Sequence, residues 1–305
     1  MIWGNLLHLS YNMWGDWDHP TKYTGGYWGA KPYLRFDEEV WNKVLARMVD
    51  AGMNMVVIDL GDAIQYESHP EIAVEGAWSI PRLKAELAKL RAMGLEPIPK
   101  LNFSTTHDVW MGEYARCVST PRYYQVCADL IAEVIDLFDR PRFFHLGMDE
   151  ETAEHQVNFI YVVSRQFDLW WHDLLFLVEQ VEKGGSRAWI WSDDIWYHRE
   201  GYLRKMPTSV VQSNWYYWDN FDPEADHRVQ AWLDLQERGF DQIPTGSIWK
   251  YRENFSDLAA WCCKHLSPDR LLGFLQTPWN PTMPEFLDRH MTAIDVVAEA
   301  MQRGR

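Results

Sequence analysis

The run Phe143-Phe144-His145-Leu146-Gly147-Met148-Asp149-Glu150-Glu151 decides how the rest of the chain is read. It starts apolar, as a buried strand does, breaks at a glycine, and ends in three adjacent carboxylates. A strand that carries acids to its own C-terminal tip is how a (β/α)8 barrel assembles an active site. The residues on either side are therefore read as the other strands and helices of such a barrel.

Before it, Asn5 to Ser10 (NLLHLS) reads as the first strand, followed by a long loop rich in Gly, Trp and Tyr from Tyr11 to Arg35. Asp37 is placed to cap a helix whose Val40, Trp41, Val44, Leu45, Met48 and Val49 fall on one face at helical spacing, with Gly52 at its stop. Met55 to Leu60 is a continuous apolar run broken only by Asp59, which predicts a strand buried on both faces. Ser79 and Pro81 open the next helix, Glu96 to Asn102 is the third strand, and Thr120-Pro121 start the helix through Phe138. Strand four is Arg142 to Gly147, and the helix after it runs from about Phe167 to Glu182. Strands five to eight read as Arg187–Ser192, Ser209–Trp215, roughly Ile243–Trp249, and Leu271–Thr277. Asp222-Pro223 is expected to open one helix, Ser256 to His265 a second, and Thr282 with Pro284 the last. Alternating strand and helix signals without a composition shift predict one α/β domain over residues 1–305, a single (β/α)8 barrel. A doubly wound sheet would need about half as many repeats and usually a Gly-rich phosphate loop. No GxGxxG or GxxxxGK[ST] is present, so no nucleotide cofactor is expected.

With 47% hydrophobic and 24% charged residues, a chain of 305 residues has ample material for a core of that size. A net charge of −15 and a pI near 5.1 argue against nucleic acid and anionic membranes as partners. No apolar run reaches the roughly 18 residues of a membrane helix. Met1-Ile2-Trp3-Gly4-Asn5 lacks the pattern of a secretion signal, which gives a cytoplasmic location as the expectation. Cys117, Cys127, Cys262 and Cys263 have no metal-type spacing and read as free or buried thiols. The 18 tryptophans fit either sugar-binding walls or barrel–helix packing, and composition alone does not separate the two.

In a barrel the strand tips list the candidate site: Asp59, Asn102, Asp149, Glu150, Asp193, Asp194, Trp215, Trp249, Tyr251 and Trp279, with His107 just beyond strand three. Trp191 joins them as a candidate sugar contact. Acids and aromatic rings with little basic charge suit a neutral polyhydroxylated ligand, a carbohydrate, better than a phosphate or carboxylate. No metal is expected.

His145-x-Gly147-x-Asp149-Glu150 resembles the H-x-G-G-D-E signature of family 20 glycoside hydrolases, the β-N-acetylhexosaminidases. The segment PIPKLN followed by His107 is similar to that family's strand-three segment, especially in the hexosaminidase D-like branch. WIWSDD, VVQSNW and LLGFLQTPW resemble its later strands, so the likeness covers most of the chain, although only the strand-four motif is specific. The resemblance implies Glu150 as general acid/base and Asp149 as the group that orients a 2-acetamido substituent, whose carbonyl oxygen attacks the anomeric carbon. It also makes Tyr251 a candidate for the hydroxyl that holds that oxygen. The chain departs from the family in three ways. Met148 stands at the second glycine, strand one has no sugar-gripping arginine, and Ile58-Asp59-Leu60-Gly61-Asp62 replaces the usual H-x-H-x-x-D-D. The small domain that usually precedes the barrel is also not seen.

Plainer readings compete. Asp149 and Glu150, or Asp193 and Asp194, could simply sit at helix N-termini, where acids favour the dipole. His145 reads as a buried, hydrogen-bonded wall residue, and Trp41, Trp232 and Trp261 as helix-face core. Three functional alternatives stay open beside the acetamido mechanism. They are a glycosidase using Glu150 with Asp193 or Asp194, a metal-dependent sugar isomerase or epimerase, and a barrel that binds carbohydrate without turnover.

Overall fold

The computed structural model describes residues 1–17 and 27–303. Part of the long first loop lies outside the described residues.

Eight parallel strands form one sheet. They are β1 (Ile2–His8), β2 (Met55–Asp59), β3 (Glu96–Lys100), β4 (Phe143–His145), β5 (Arg187–Trp191), β6 (Val211–Ser213), β7 (Thr245–Gly246) and β8 (Gly273–Gln276). Each pairs with its sequence neighbours, and β1 pairs with β8 in the register Ile2–Gly273 to Asn5–Gln276. Bridges Gln212–Gln242 and Trp215–Thr245 join β6 to β7 and bring the sheet round into a (β/α)8 barrel. The helices that alternate with the strands are α1 (Glu38–Asp50), α2 (Ile80–Ala92), α3 (Pro121–Leu137), α4 (Asp168–Lys183), α5 (Ile195–Lys205), α6 (His227–Glu237), α7 (Asn254–His265) and α8 (Leu287–Arg303).

Strand periodicity makes two cores. Side chains of one parity (Leu6, Met55, Val57, Ile98, Phe143, Trp189, Trp191) fill the barrel. Those of the other parity (Leu7, Val56, Ile58, Phe144, Ile190) pack outward against the helices. Helix starts follow the capping signals. Asp37 Oδ1 accepts from Val40 N at 2.9 Å, Thr120 Oγ1 from Tyr123 N at 3.3 Å, and α2 and α3 carry proline in their first turn.

Strand one runs Ile2–His8 rather than Asn5–Ser10, and Val49 of α1 is exposed rather than on the buried face. Three further elements differ from the sequence reading. The helix expected at Asp222-Pro223 begins at His227, because Asp226 takes the cap and accepts from Arg228 N at 3.0 Å, while Asp222 closes a turn onto Glu224 N. Strand seven shrinks from Ile243–Trp249 to Thr245–Gly246: Pro244 has no N–H to give the ladder at its start, and at its end Ser247 N donates to Asn254 Oδ1 and Trp249 N to Ser247 Oγ instead. Residues 195–205 form a helix that the pattern did not announce: only Ile195 and Tyr202 are buried in it, and its backbone bends at His198. All four cysteines are free thiols. No helix among the described residues is long and apolar enough to cross a membrane.

Candidate active site

The backbone after β4 is strained where the acids sit. Gly147, Met148 and Glu150 have φ of 73°, 74° and 55°, the left-handed region that non-glycine residues avoid at a cost of about 1–2 kcal/mol each. This sharp path delivers Asp149 and Glu150 side by side to the C-terminal mouth of the barrel. Gly147 has no alternative, because a Cβ there would lie 1.9 Å from Asn102 Oδ1. Asn102, at the end of β3, ties the turn together. Its Nδ2 donates to Asp149 Oδ1 at 2.9 Å and its Oδ1 accepts from Met148 N at 3.2 Å. Thr106 Oγ1 donates to the Glu150 carbonyl at 3.0 Å. The strain at Met148 and Glu150 is thus held by residues of the segment that follows β3.

Asp149 is buried and Glu150 is about one-quarter exposed. Two histidines reach the pair. His107 sits with Nδ1 3.6 Å from Asp149 Oδ1 and Nε2 3.6 Å from Glu150 Oε2. Burial lowers its pKa, against the pull of the two carboxylates. His155, on the loop between β4 and α4, lies with Nε2 3.1 Å from Glu150 Oε2. A nitrogen of His107 and an oxygen of each acid lie within 4.8 Å of one another, a set that could hold a divalent cation.

The third acid of the run turns away. Glu151 enters a buried ion pair with Arg165, which also binds Asp173 Oδ2 at 3.2 Å and donates to the Phe103 carbonyl at 2.8 Å. That cluster anchors the loop carrying His155 to the barrel top.

Asp149 and Glu150 open into a cavity of about 440 Å³ walled by Trp14, Trp28, Trp215, Tyr217, Trp218, Trp249 and Trp279, with His107 and Lys250 at its edge. Tyr217 stacks on Trp215 with ring centroids 4.9 Å apart, and its hydroxyl accepts from Trp279 Nε1 at 2.9 Å. Of the residues expected from the sequence, Asp149, Glu150, His107, Trp215, Trp249 and Trp279 line this cavity. Asn102 and Asp193 stand directly behind it. Asp193 Oδ2 accepts from Glu150 N at 2.9 Å and its Oδ1 from Trp215 Nε1 at 3.2 Å. Burial, then the charge of Asp149, push the Asp193 carboxyl well above the usual carboxylate range.

The remaining four lie elsewhere. Asp59 is inside the barrel, bound to Lys100, with His8 Nδ1 at 3.6 Å. Trp191 is buried between His145 and Trp279, at centroid distances of 4.3 and 5.9 Å. Asp194 starts α5 and holds His198 Nδ1 at 2.8 Å. Tyr251 is an exposed loop residue outside the cavity wall. His145 is a neutral wall residue: burial holds its pKa well below the usual value, and its Nδ1 accepts from Gly147 N at 3.0 Å.

Sequence reading missed Trp14, Trp28, Tyr217, Trp218, Lys250 and His155. The aromatic-rich first loop and the Tyr216-Tyr217-Trp218 run after β6 were available signals, although nothing in either says which ring turns inward. His155 has no signal of its own.

No protein-family model matches the sequence, and no curated protein does either. Solved structures do match in fold. The chitobiase of Flavobacterium johnsoniae superposes with a TM-score of 0.62 at 16% identity, covering 86% of this chain and 46% of that one. The family 20 exo-β-N-acetylglucosaminidase of Vibrio harveyi, in complex with N-acetylglucosamine, gives 0.64 at 12% identity, covering 99% and 56%. Dispersin B gives 0.57 at 15% identity, covering 87% and 95%. This chain spans about half the length of the first two. At such identities the likeness is one of fold: the barrel is similar to those of family 20 β-N-acetylhexosaminidase structures.

Proposed function

We propose that this chain is a glycoside hydrolase that cleaves a β-linked N-acetylhexosamine with help from the substrate's own acetamido group. The observation that carries the reading is the adjacency of Asp149 and Glu150 at the floor of one aromatic-walled cavity, with Asp149 held by Asn102 and Glu150 partly open to solvent. The sugar's apolar C–H face has the Trp and Tyr walls to lie on. Asn102 occupies Asp149 Oδ1, which leaves Oδ2 to accept the acetamido N–H and stabilise the positive charge that grows as the acetamido oxygen attacks the anomeric carbon. Glu150 gives its proton to the departing glycosidic oxygen, then takes one from the water that opens the cyclic intermediate. Tyr217, whose hydroxyl already accepts from Trp279, is better sited than Tyr251 to donate its proton to the acetamido oxygen.

The alternative with a protein nucleophile has less support. Asp193 has both oxygens engaged, by Glu150 N and Trp215 Nε1, and stands behind the cavity wall, and Asp194 is tied to His198. The test is a series of aryl glycosides with and without a 2-acetamido group, with a thiazoline derived from the N-acetyl sugar as inhibitor. Glu150→Gln should lose about 10²–10⁴ in turnover, least with acidic phenols. Asp149→Asn should slow acetamido substrates whatever their leaving group, and tight thiazoline binding should be lost with it. A harmless Asp149→Asn beside a dead Asp193→Asn would mean that a protein carboxylate is the nucleophile and the proposal is wrong.

A further inference from the structure

His107 presents an unused nitrogen to the acid pair. Its side chain is 2% exposed. Nδ1 lies 3.0 Å from Thr106 Oγ1, whose own proton goes to the Glu150 carbonyl. Nδ1 is therefore the donor in that contact, and in the neutral ring Nε2 keeps a lone pair. Nε2 has no hydrogen-bond partner among the described residues and faces Glu150 Oε2 at 3.6 Å. Two acceptors that face each other repel unless a positive charge lies between them. A distance of 3.6 Å is too long for a shared proton but spans a metal ion. Zinc at about 2.0–2.2 Å from each donor puts tetrahedral ligands about 3.3–3.6 Å apart. An oxygen of Asp149 completes a set of three donors, all within 4.8 Å of one another. Among the described residues no other His, Cys, Asp and Glu side chains form such a set.

The groups behind these three hold them as the outer shell of a metal site holds its ligands. Thr106 fixes the His107 ring through Nδ1. Asn102 Nδ2 donates to Asp149 Oδ1 at 2.9 Å and leaves Oδ2 free. His155 Nε2 stands 3.1 Å from Glu150 Oε2, and Thr152 Oγ1 sets that ring from 2.8 Å at Nδ1. All three donors line the aromatic cavity, which leaves one side of the set open. One imidazole and two carboxylates with an open side suit zinc and its transition-metal neighbours. Magnesium and calcium prefer oxygen alone. We propose that His107, Asp149 and Glu150 form a binding site for a zinc-type divalent cation, and that the bound ion switches the chain off. The ion takes the Asp149 oxygen that would accept the acetamido N–H, and it leaves Glu150 no proton to give. The binding site stands on its own geometry; the switch rests on the glycosidase reading above.

The experiment titrates the EDTA-treated full chain with zinc by calorimetry, and with cobalt(II) by its visible absorption. Wild type should bind a single zinc that magnesium does not displace. Zinc should inhibit turnover of an aryl N-acetylhexosaminide competitively. His107→Gln and Glu150→Gln should each weaken zinc at least about tenfold and abolish the cobalt bands. Glu150 is partly exposed, so its variant guards against a folding failure at buried His107. No zinc bound at micromolar concentrations overturns the site and leaves the glycosidase reading standing. An affinity unchanged in both variants also overturns it, because the ion then sits elsewhere, as on the exposed Cys263 thiol. Zinc bound through these residues without loss of turnover overturns the switch. If the metal-free chain turns over nothing while zinc still binds through them, the glycosidase reading and the switch fall and the metal site stands.

Discussion

Gly147→Ala puts one methyl group where the turn after β4 has no room. At φ 73° the new side chain costs about 1–2 kcal/mol from the left-handed backbone alone. Its Cβ would also stand 1.9 Å from Asn102 Oδ1, 2.2 Å from Cγ and 2.8 Å from Cα, so both side chain and backbone are in the way. The turn cannot slide aside easily, because Gly147 N donates to His145 Nδ1 and its carbonyl accepts from Trp191 N, both at 3.0 Å. Overpacking of that kind adds about 1–3 kcal/mol, for a total of about 2–5 kcal/mol of stability. Asn102 has to swing away, and with it goes the 2.9 Å bond that orients Asp149. A displacement of about 1 Å at a reacting group costs about 10² in rate. Urea denaturation and kcat/KM on an aryl N-acetylhexosaminide measure the two losses separately. Asn102→Ala serves as comparison: it removes the bond to Asp149 without the strain, so it should lose activity with a smaller fall in stability, about 1–3 kcal/mol. A Gly147→Ala variant within about 0.5 kcal/mol of wild type and fully active would show that the turn is softer than argued and that Asn102 does not position Asp149.

Two more outcomes are expected. Asp62 is buried, accepts from Ser10 Oγ at 2.6 Å and Asn12 Nδ2 at 2.8 Å, and its pKa is raised to about 6, chiefly by burial. A folded value above the unfolded one contributes stability that is fully present below about pH 4 and lost as pH rises through about 6, on the order of 3 kcal/mol. Asp62→Asn should flatten melting temperature between those limits, and an unchanged slope would remove Asp62 as its source. Dialysis against EDTA should leave turnover intact, because the proposed steps use only Asp149, Glu150, Tyr217 and the substrate's own acetamido group; loss restored by a divalent metal would favour the isomerase reading.

The barrel was legible in the sequence because its signals are local. Continuous apolar runs such as Met55–Ile58 announce buried parallel strands, and Asp37, Ser79 and Thr120 satisfy helix N–H groups within three residues of themselves. Where two local signals competed, at Asp222 and Asp226, or where proline removed a donor, at Pro244, the boundary moved. The acids at the tip of strand four were visible for the same reason: a strand's end is set by its own residues. Their partners were not visible. Glu151 is as acidic as its neighbours but is drawn into the fold by Arg165, and Asp59 is neutralised inside the barrel by Lys100, a residue of the next strand. Tyr217 and Trp14 reach the cavity, and Tyr251 does not, through loop paths that no periodicity encodes. Sequence by itself determined the strands and the acids carried at the tip of strand four. Only the tertiary structure decided which carboxylates stay open and which are paired, because pairing depends on contacts between strands and loops far apart in the chain.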